Sequence, residues 1–354
     1  MTGERMTGET TRSTMHPPAN GPSVGILGTG SYVPAREVSN EEVAARVPEI
    51  TAEWISRKTA IRARRWAADD EATSDLAARA ATRALAAAGV PADGVDRLLV
   101  STSTGDHPQP PTAALVQQLI GAHAAGCLDI NAVCAGFGYG LELARSLVVA
   151  NPGSRVLVVA ADVYSRILDF DDRRTSVLLG DGAGAAVVGE VAEGTGILAT
   201  DLTTRGDQEH LIKVRAGGSR VPTSAATVAE GGHYFTMQGR GVRDFVMEQV
   251  PPALERLLAR LDLDASDVDC FVPHQANGVL LDELVARCGL QKAHVARVLE
   301  RYGNIGSAGV PVALDDAVRG GAVRPGDLVL LSGFGGGMSM ANCLLRWSPT
   351  GEAR

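Results

Sequence analysis

Runs of apolar and polar residues divide the chain into short strands and longer helices. Continuous apolar runs typical of buried strands occur at residues 24–28, 95–100, 127–130 and 156–161. Helical spacing of apolar residues occurs at 74–88, ending at Gly89, and at 141–150, and a capping box at 39–42 predicts another helix start. Because helices and strands alternate along the chain, we expect an α/β protein with parallel sheets covered on both faces.

The second half of the chain repeats the spacing of the first. Two landmarks recur 173 residues later (268 − 95 and 325 − 152): Val95-Asp96 as Val268-Asp269, and Pro152-Gly153 as Pro325-Gly326. A shared offset indicates a duplicated unit. The same shift carries Asn131 onto Asn304 and Cys134 onto Ser307, so a second helix start should mirror the one at Cys134, and we expect a site where the two meet.

Cys134 lies in Asn-Ala-Val-Cys-Ala-Gly-Phe-Gly-Tyr-Gly-Leu, between a predicted strand and a predicted helix. At such a turn the thiol faces the positive end of the helix dipole, which predicts a lowered pKa and a nucleophilic thiolate. The competing interpretation is a buried, inert packing cysteine.

Composition narrows the class of protein. The net charge of −8 and pI near 5.4 argue against a nucleic-acid or anionic-membrane partner. Five cysteines without Cys-x-x-Cys pairs, and histidines without zinc spacing, fit a cytoplasmic protein that needs no disulfide, metal or cofactor. The polar residues 1–20 are predicted to be a disordered tail rather than a signal peptide, and no later segment is expected to span a membrane.

Candidate partners for the thiol lie in the second half. His274, in Pro-His-Gln-Ala-Asn, is placed where a buried strand meets a turn, either as a catalyst or as a core histidine. Asn304 lies between a glycine and an isoleucine in Gly-Asn-Ile-Gly, and the motif Ser-Gly-Phe-Gly-Gly-Gly-Met (332–338) offers backbone N–H groups to an oxyanion.

Four other segments receive predictions. The basic segment 53–66 is either a solvated helix face or a patch that binds phosphate and a ring. Gly-Thr-Gly (28–30) and Gly-Asp-Gly-Ala-Gly (180–184) are weak nucleotide motifs, and the second is predicted to be a packed core strand. Residues 205–232 are predicted to be a surface excursion or lid.

Together, Ala-Val-Cys-Ala-Gly-Phe at Cys134, Pro-His-Gln-Ala-Asn at His274, Gly-Asn at Asn304 and Gly-Phe-Gly-Gly-Gly resemble the β-ketoacyl-acyl-carrier-protein synthase III (KAS III) family of the thiolase superfamily. The resemblance implies a thiolase fold, a duplicated five-layer αβαβα arrangement with two pseudo-symmetric halves. The nucleophilic cysteine belongs to residues 22–192, and the histidine and asparagine to 193–349, with tails at 1–21 and 350–354.

The resemblance also implies roles for individual residues. Cys134 would take an acyl group from acyl-CoA, with the N–H groups of Cys134 and Gly336 as the oxyanion hole, while His274 and Asn304 would stabilise the enolate of a decarboxylating malonyl thioester. Binding of CoA and pantetheine would fall to six residues: Trp54, Lys58, Arg173, Thr175, Arg240 and Asn277. Family members are homodimers, and an acyl carrier protein is the expected partner.

Some positions depart from the family pattern. Lys58 replaces an arginine that stacks on adenine, and Gln109 replaces the aromatic residue that closes the acyl pocket in some members. Asp244 and Val279 replace basic residues that dock the carrier protein. We expect a decarboxylating condensing enzyme that primes fatty-acid or polyketide synthesis. The alternative is an acyltransferase that moves the acyl group from Cys134 to a hydroxyl, an amine or a carrier protein without decarboxylation.

Overall fold

The computed structural model describes residues 21–348, so the predicted tails lie outside the described residues apart from Gly21. The strands are β1 Val24–Tyr32, β2 Arg36–Ser39, β3 Ala63–Trp66, β4 Arg97–Ser101, β5 Gly126–Ile130, β6 Val156–Val163, β7 Asp181–Glu190, β8 Gly196–Thr204, β9 Ile212–Val214, β10 Phe235–Met237, β11 Cys270–Pro273, β12 His294–Val295, β13 Leu328–Gly335 and β14 Ser339–Arg346. The helices are α1 Asn40–Ala44, α2 Ala52–Thr59, α3 Thr73–Ala88, α4 Thr112–Ile120, α5 Gly136–Ala150, α6 Ala225–Ala229, α7 Gly239–Ala259, α8 Gly278–Arg287, α9 Leu299–Tyr302 and α10 Gly309–Arg319.

Two five-stranded sheets form the framework, and they repeat one another. The first has the order β1-β7-β6-β4-β5, and the second, taken from its other edge, has the corresponding order β8-β14-β13-β11-β12. Short 3₁₀ turns precede the equivalent helices, Val133–Ala135 before α5 and Gly306–Ala308 before α10. The predicted duplication is therefore confirmed.

The prediction of wholly parallel sheets is wrong, because both sheets are mixed. Strand β4 pairs in parallel with β5 and β6, whereas β7 pairs antiparallel with both β6 and β1. In the second sheet, β13 returns as β14 through three residues, 336–338. Parallel neighbours need a long crossover connection, and neither β6–β7 nor β13–β14 contains a crossover helix.

Helices cover both faces of each sheet, which gives five layers. Helices α3 and α4 pack on the outer face of the first sheet, and α7 and α8 on the outer face of the second. The middle layer consists of α5 and α10, whose apolar residues pack against β6 and β13. Buried apolar area between these layers is the main stabilising contribution to the fold.

One segment, Val133–Ala150, has the length and hydropathy of a membrane span, contrary to the prediction that none would. It contains α5, which lies between the two sheets and has Phe137, Leu141 and Ala144 fully buried. The apolar character of this segment reflects its place in the middle layer, where a helix is enclosed by sheet on both sides.

Local sequence signals mark several element ends as predicted. The Ser39 side chain accepts a hydrogen bond from the Glu42 N–H and caps α1, and α3 ends at Gly89 with φ of 64°. Residues 181–190 form the buried strand β7. The excursion at 205–232 is largely exposed and is followed by β10, which pairs with β9.

Candidate active site

Cys134 lies in the 3₁₀ turn between β5 and α5, as predicted. The turn is held by Asn131, whose side-chain oxygen accepts the Val133 N–H at 3.1 Å. The thiol is 8 % exposed and packs against β13. A Cβ on Gly335 would lie 2.7 Å from the Cys134 Cβ and 3.0 Å from Sγ, so the glycine is what lets β13 approach the nucleophile.

The predicted lowering of the thiol pKa is wrong. Enclosure between the two halves raises the pKa of Cys134, and the nearby negative charge of Asp162 raises it further. A backbone hydrogen bond has a smaller opposing effect. The sulfur is therefore a neutral thiol near pH 7, and a base must take its proton before it can attack.

His274 follows β11 and is 3 % exposed. Its backbone N–H donates to the Ser332 carbonyl at 2.7 Å, and its ring meets the Phe334 ring edge-on with centroids 5.3 Å apart. Burial lowers the pKa of His274 to about 3, so the imidazole is neutral near pH 7 and one ring nitrogen carries a lone pair. Among the described residues its Nδ1 atom has no hydrogen-bond partner.

Strand β13 contacts both Cys134 and His274. Ser332 binds the backbone of His274, while Gly333 and Gly335 lie against Cys134. Gly336, predicted to complete the oxyanion hole, lies beside the same turn, since a Cβ there would be 3.2 Å from Val133 Cγ2.

Asn304 has a fixed backbone and a fixed side chain. Its N–H donates to the Leu178 carbonyl at 2.8 Å, and its own carbonyl accepts the Gly180 N–H at 2.9 Å. Its side-chain oxygen accepts the Gly306 N–H at 3.0 Å, which leaves the amide NH₂ as the group available to a substrate oxygen. Because the 3₁₀ turns at 133–135 and 306–308 pack together, Asn304 lies near the Cys134 turn.

A cavity of about 360 Å³ has Asn304 in its wall. Of the residues predicted to bind CoA, Trp54, Lys58, Arg173 and Asn277 also line it, and the Arg173 guanidinium lies 5.9 Å from the Trp54 ring centroid. This supports the ring-and-phosphate interpretation of the basic segment 53–66. The helix in that segment ends at Thr59, and residues 63–66 form β3.

Six of the predicted site residues are not part of this cavity's wall: Cys134, His274, Gly336, Thr175, Arg240 and Gln109. Thr175 is fully buried, and its hydroxyl donates to the Asp172 carbonyl at 3.3 Å. Arg240 is exposed near the start of α7, and Gln109 is exposed on the loop between β4 and α4. The roles of Thr175 and Arg240 in binding pantetheine stay predictions, since neither residue is part of this cavity's wall.

Several contributing residues were not predicted from the sequence. The apolar part of the wall includes Val177, Leu178, Met237 and Ala276. Apolar wall residues carry no motif, so nothing distinguishes them from core residues. Asp162 could have been found, because it is a carboxylate near the end of a strand that is otherwise almost wholly apolar.

The described residues contain no group of three or more His, Cys, Asp or Glu side chains arranged to hold a metal ion. The groups placed near the junction of the two halves are a thiol, a neutral imidazole and a carboxamide, and the carboxamide of Asn304 also lines a cavity with cationic side chains.

Comparison with known proteins gives the same family from sequence and from structure. Residues 128–206 match the model of 3-oxoacyl-[acyl-carrier-protein] synthase III, and residues 258–347 match the model of its C-terminal part. The chain is 49% identical to the acetoacetyl CoA synthase NphT7 of a Streptomyces species, over 91% of this chain and 98% of that protein. It is 42% identical to the β-ketoacyl-[acyl-carrier-protein] synthase III of Symbiobacterium thermophilum, over 92% and 98%.

Comparison with solved structures gives the same family. A crystal structure of a 3-oxoacyl-(acyl-carrier-protein) synthase III superposes with a TM-score of 0.87 at 35% identity, covering 92% of this chain and all of that one. The priming β-ketosynthase of a polyketide biosynthetic pathway superposes with a TM-score of 0.85 at 38% identity, covering 93% and 98%. The chain therefore belongs to the 3-oxoacyl-[acyl-carrier-protein] synthase III family and has the thiolase fold, and it is a condensing enzyme of that type.

Proposed function

We propose that the enzyme transfers an acyl group from acyl-CoA to Cys134 and then condenses it with a malonyl thioester. The observation that carries this proposal is that β13 contacts both Cys134 and the His274 backbone, that the turn after Asn304 packs on the Cys134 turn, and that Asn304 also lines a cavity with Trp54 and Arg173 in its wall. This set of groups supplies a nucleophile, a proton carrier and a stabiliser of developing negative charge.

In the acylation step, the Cys134 sulfur attacks the thioester carbonyl carbon and the bond from that carbon to the CoA sulfur breaks. The imidazole of His274 takes the thiol proton and passes it to the departing CoA thiolate, so it is neutral again at the end. The N–H groups of Cys134 and Gly336 are proposed to hold the oxyanion in this step.

In the condensation step, the malonyl thioester loses carbon dioxide, and the electron pair of the broken bond becomes an enolate. The Asn304 NH₂ and an N–H of the neutral His274 are proposed to donate to the enolate oxygen. The enolate carbon attacks the acyl carbonyl, a carbon–carbon bond forms, and the bond from that carbonyl carbon to the Cys134 sulfur breaks. The Cys134 thiolate that leaves takes a proton from water. The alternative of acyl transfer without decarboxylation is not favoured, since it needs no enolate stabilisation and the relatives above are named as synthases.

We further propose that CoA, rather than a carrier protein, presents the malonyl group. Lys58 and Arg173 place positive charge around the cavity and fit the phosphates of CoA. Arg243, also in the wall, is neutralised by Glu283 at 2.5 Å and by Asp244 at 3.3 Å, so it offers little to an acidic carrier protein. The relative that is 49% identical is named an acetoacetyl CoA synthase.

An acyl carrier protein remains the second candidate, because the relative that is 42% identical is named a synthase III acting with that carrier. The test offers acetyl-CoA with either malonyl-CoA or malonyl-carrier protein at equal concentration and identifies the products by mass. We expect acetoacetyl-CoA to form faster than the carrier-bound product. Product formation from the carrier alone would refute the CoA proposal while leaving condensation intact.

We also propose a cytoplasmic homodimer. All five cysteines are free, which fits a reducing compartment. Strand β5 is an edge strand with Leu128 43% exposed, and Leu119 on α4, which packs on β5, is 54% exposed. An unpaired edge with neighbouring apolar side chains is suited to a second copy of the chain. Light scattering of the purified protein tests the dimer.

A further inference from the structure

Asp162 is a fully buried carboxylate near the end of β6, in the part of the molecule where the two halves meet. One oxygen, Oδ1, accepts hydrogen bonds from the Ser103 N–H at 2.8 Å and from the Thr104 hydroxyl at 3.0 Å. The other oxygen, Oδ2, accepts from Ser307, both from its N–H at 2.9 Å and from its hydroxyl at 2.7 Å. Each oxygen therefore binds a different half of the duplicated fold.

The ionised form of Asp162 fits these contacts. Burial raises the pKa of this carboxyl group above its ordinary value, and the hydrogen bonds from Ser103, Ser307 and Thr104 offset only part of that rise. A protonated carboxyl group would set its own O–H against one of the donors, whereas a carboxylate only accepts. We therefore treat Asp162 as charged.

On the second-half side, Asp162 supports Asn304. Ser307 follows Gly306, whose N–H fixes the Asn304 side-chain oxygen. Gly306 has φ of 59°, and a Cβ there would lie 2.5 Å from Asp162 Oδ2. The carboxylate thus lies directly against the turn that orients the Asn304 amide.

On the first-half side, Asp162 supports the Cys134 turn. Ser103, which binds Asp162 through its N–H, donates its hydroxyl to the Asn131 side-chain oxygen at 3.3 Å. That oxygen also accepts the Val133 N–H, one residue before the nucleophile. A short chain of hydrogen bonds therefore joins Asp162 to the turn at Cys134.

We propose that Asp162 is a positioning residue for the condensation, holding the Asn304 turn and the Cys134 turn in fixed register. This inference rests on the function proposed above. Its charge also acts on two titratable neighbours, Cys134 and Tyr164, and raises the pKa of both. A carboxylate that only stabilised the fold would affect neither the partition between reaction steps nor the reactivity of the thiol.

The test compares Asp162→Asn with Asp315→Asn. Asp315 is a matched control, because it is also buried and also joins the halves, accepting from Thr29 at 2.8 Å and Ser31 at 2.6 Å, yet it belongs to a different hydrogen-bond cluster. In Asp162→Asn, the new NH₂ group must face either the Ser103 or the Ser307 N–H, so one of the two turns shifts.

For Asp162→Asn we expect kcat for carbon dioxide release to fall by about 10²-fold, because a displacement near 1 Å costs that much, with KM for acyl-CoA within about twofold. Alkylation of Cys134 by iodoacetamide should shift to lower pH by about one unit, because a nearby negative charge is lost. Asp315→Asn should change neither. Unchanged kcat, or an alkylation profile identical in the two variants, would overturn the proposal.

Ser307→Ala is a second variant that tests the same proposal if Asp162→Asn does not fold. It removes one hydroxyl donor to Asp162 and retains the backbone donor, so kcat should fall about tenfold with KM unchanged; no fall would refute the proposal. Absence of carbon dioxide release from the unaltered enzyme would instead refute the proposed function, and the alkylation profiles would still test Asp162.

Discussion

Replacing Asn304 should separate the two half-reactions. In Asn304→Ala the other residues of the cavity wall are unchanged, and the NH₂ donor proposed for the enolate is lost. Removing one donor from a water-excluded oxyanion site costs about 2.7–4 kcal/mol, or 10²–10³ in kcat. Acylation of Cys134 does not use this donor, so its rate should stay within about threefold. The Asn304 side-chain oxygen is already bound to the Gly306 N–H at 3.0 Å, so the loss falls on the NH₂ group.

The assay measures release of labelled carbon dioxide from malonyl-CoA and, separately, the burst of acyl-enzyme by intact mass. Asn304→Asp is the more specific variant. It keeps a side-chain oxygen to accept the Gly306 N–H, and it replaces the NH₂ donor by an oxygen that repels the enolate oxygen. Asn277→Ala is the control, since Asn277 caps α8 and binds the Lys58 carbonyl at 3.1 Å. It should raise KM for CoA thioesters without changing the partition between steps. Unimpaired decarboxylation in both Asn304 variants would refute the role given to the amide.

Three further outcomes are expected. Gly335→Ala should slow acyl-enzyme formation at least about tenfold, because the added Cβ would lie 3.0 Å from the nucleophilic sulfur. Gly218→Ala is the control and should not slow it, because no atom lies within 4 Å of a Cβ there. Equal rates in the two variants would contradict the packing argument. The acylation rate should be independent of pH from about pH 5 to 8, because the Cys134 thiol stays protonated and His274, with its pKa lowered to about 3, stays neutral. A sigmoidal rise in the stopped-flow rate across that range would contradict these two protonation states. Glu283→Ala should raise the rate with malonyl-carrier protein relative to malonyl-CoA several-fold, because it removes the closer of the two carboxylates that pair with Arg243. An unchanged ratio in the product assay would argue against electrostatic exclusion of the carrier.

Much of the architecture could be predicted from the sequence because the signals are local or periodic. The apolar run at 156–161 and the helical spacing at 74–88 identified β6 and α3, and the 173-residue offset placed the turn at Ser307 opposite the one at Cys134. The directions of β7 and β14 could not be predicted, because a strand's direction depends on how the chain returns to the sheet.

Site residues that belong to sequence motifs could be predicted, whereas features that depend on the tertiary structure were missed. Cys134, His274 and Asn304 lie in recognisable motifs and could be named from the sequence, and their catalytic roles stay predictions. The thiol pKa was predicted in the wrong direction, because the helix start at Gly136 is visible in the sequence, whereas the burial of the sulfur and the charge of Asp162 are tertiary features.

The most direct test of the account is the acyl-enzyme itself. The purified protein is incubated with acetyl-CoA alone, and the modified residue is located by peptide mass mapping, with Cys134→Ala and Cys288→Ala as variants. Cys288 is a matched control because its thiol is more exposed than that of Cys134. The account predicts one acetyl group on Cys134, its loss in Cys134→Ala, its retention in Cys288→Ala, and its discharge when malonyl-CoA is added. An acetyl group on any other residue, or one that malonyl-CoA does not discharge, would contradict it.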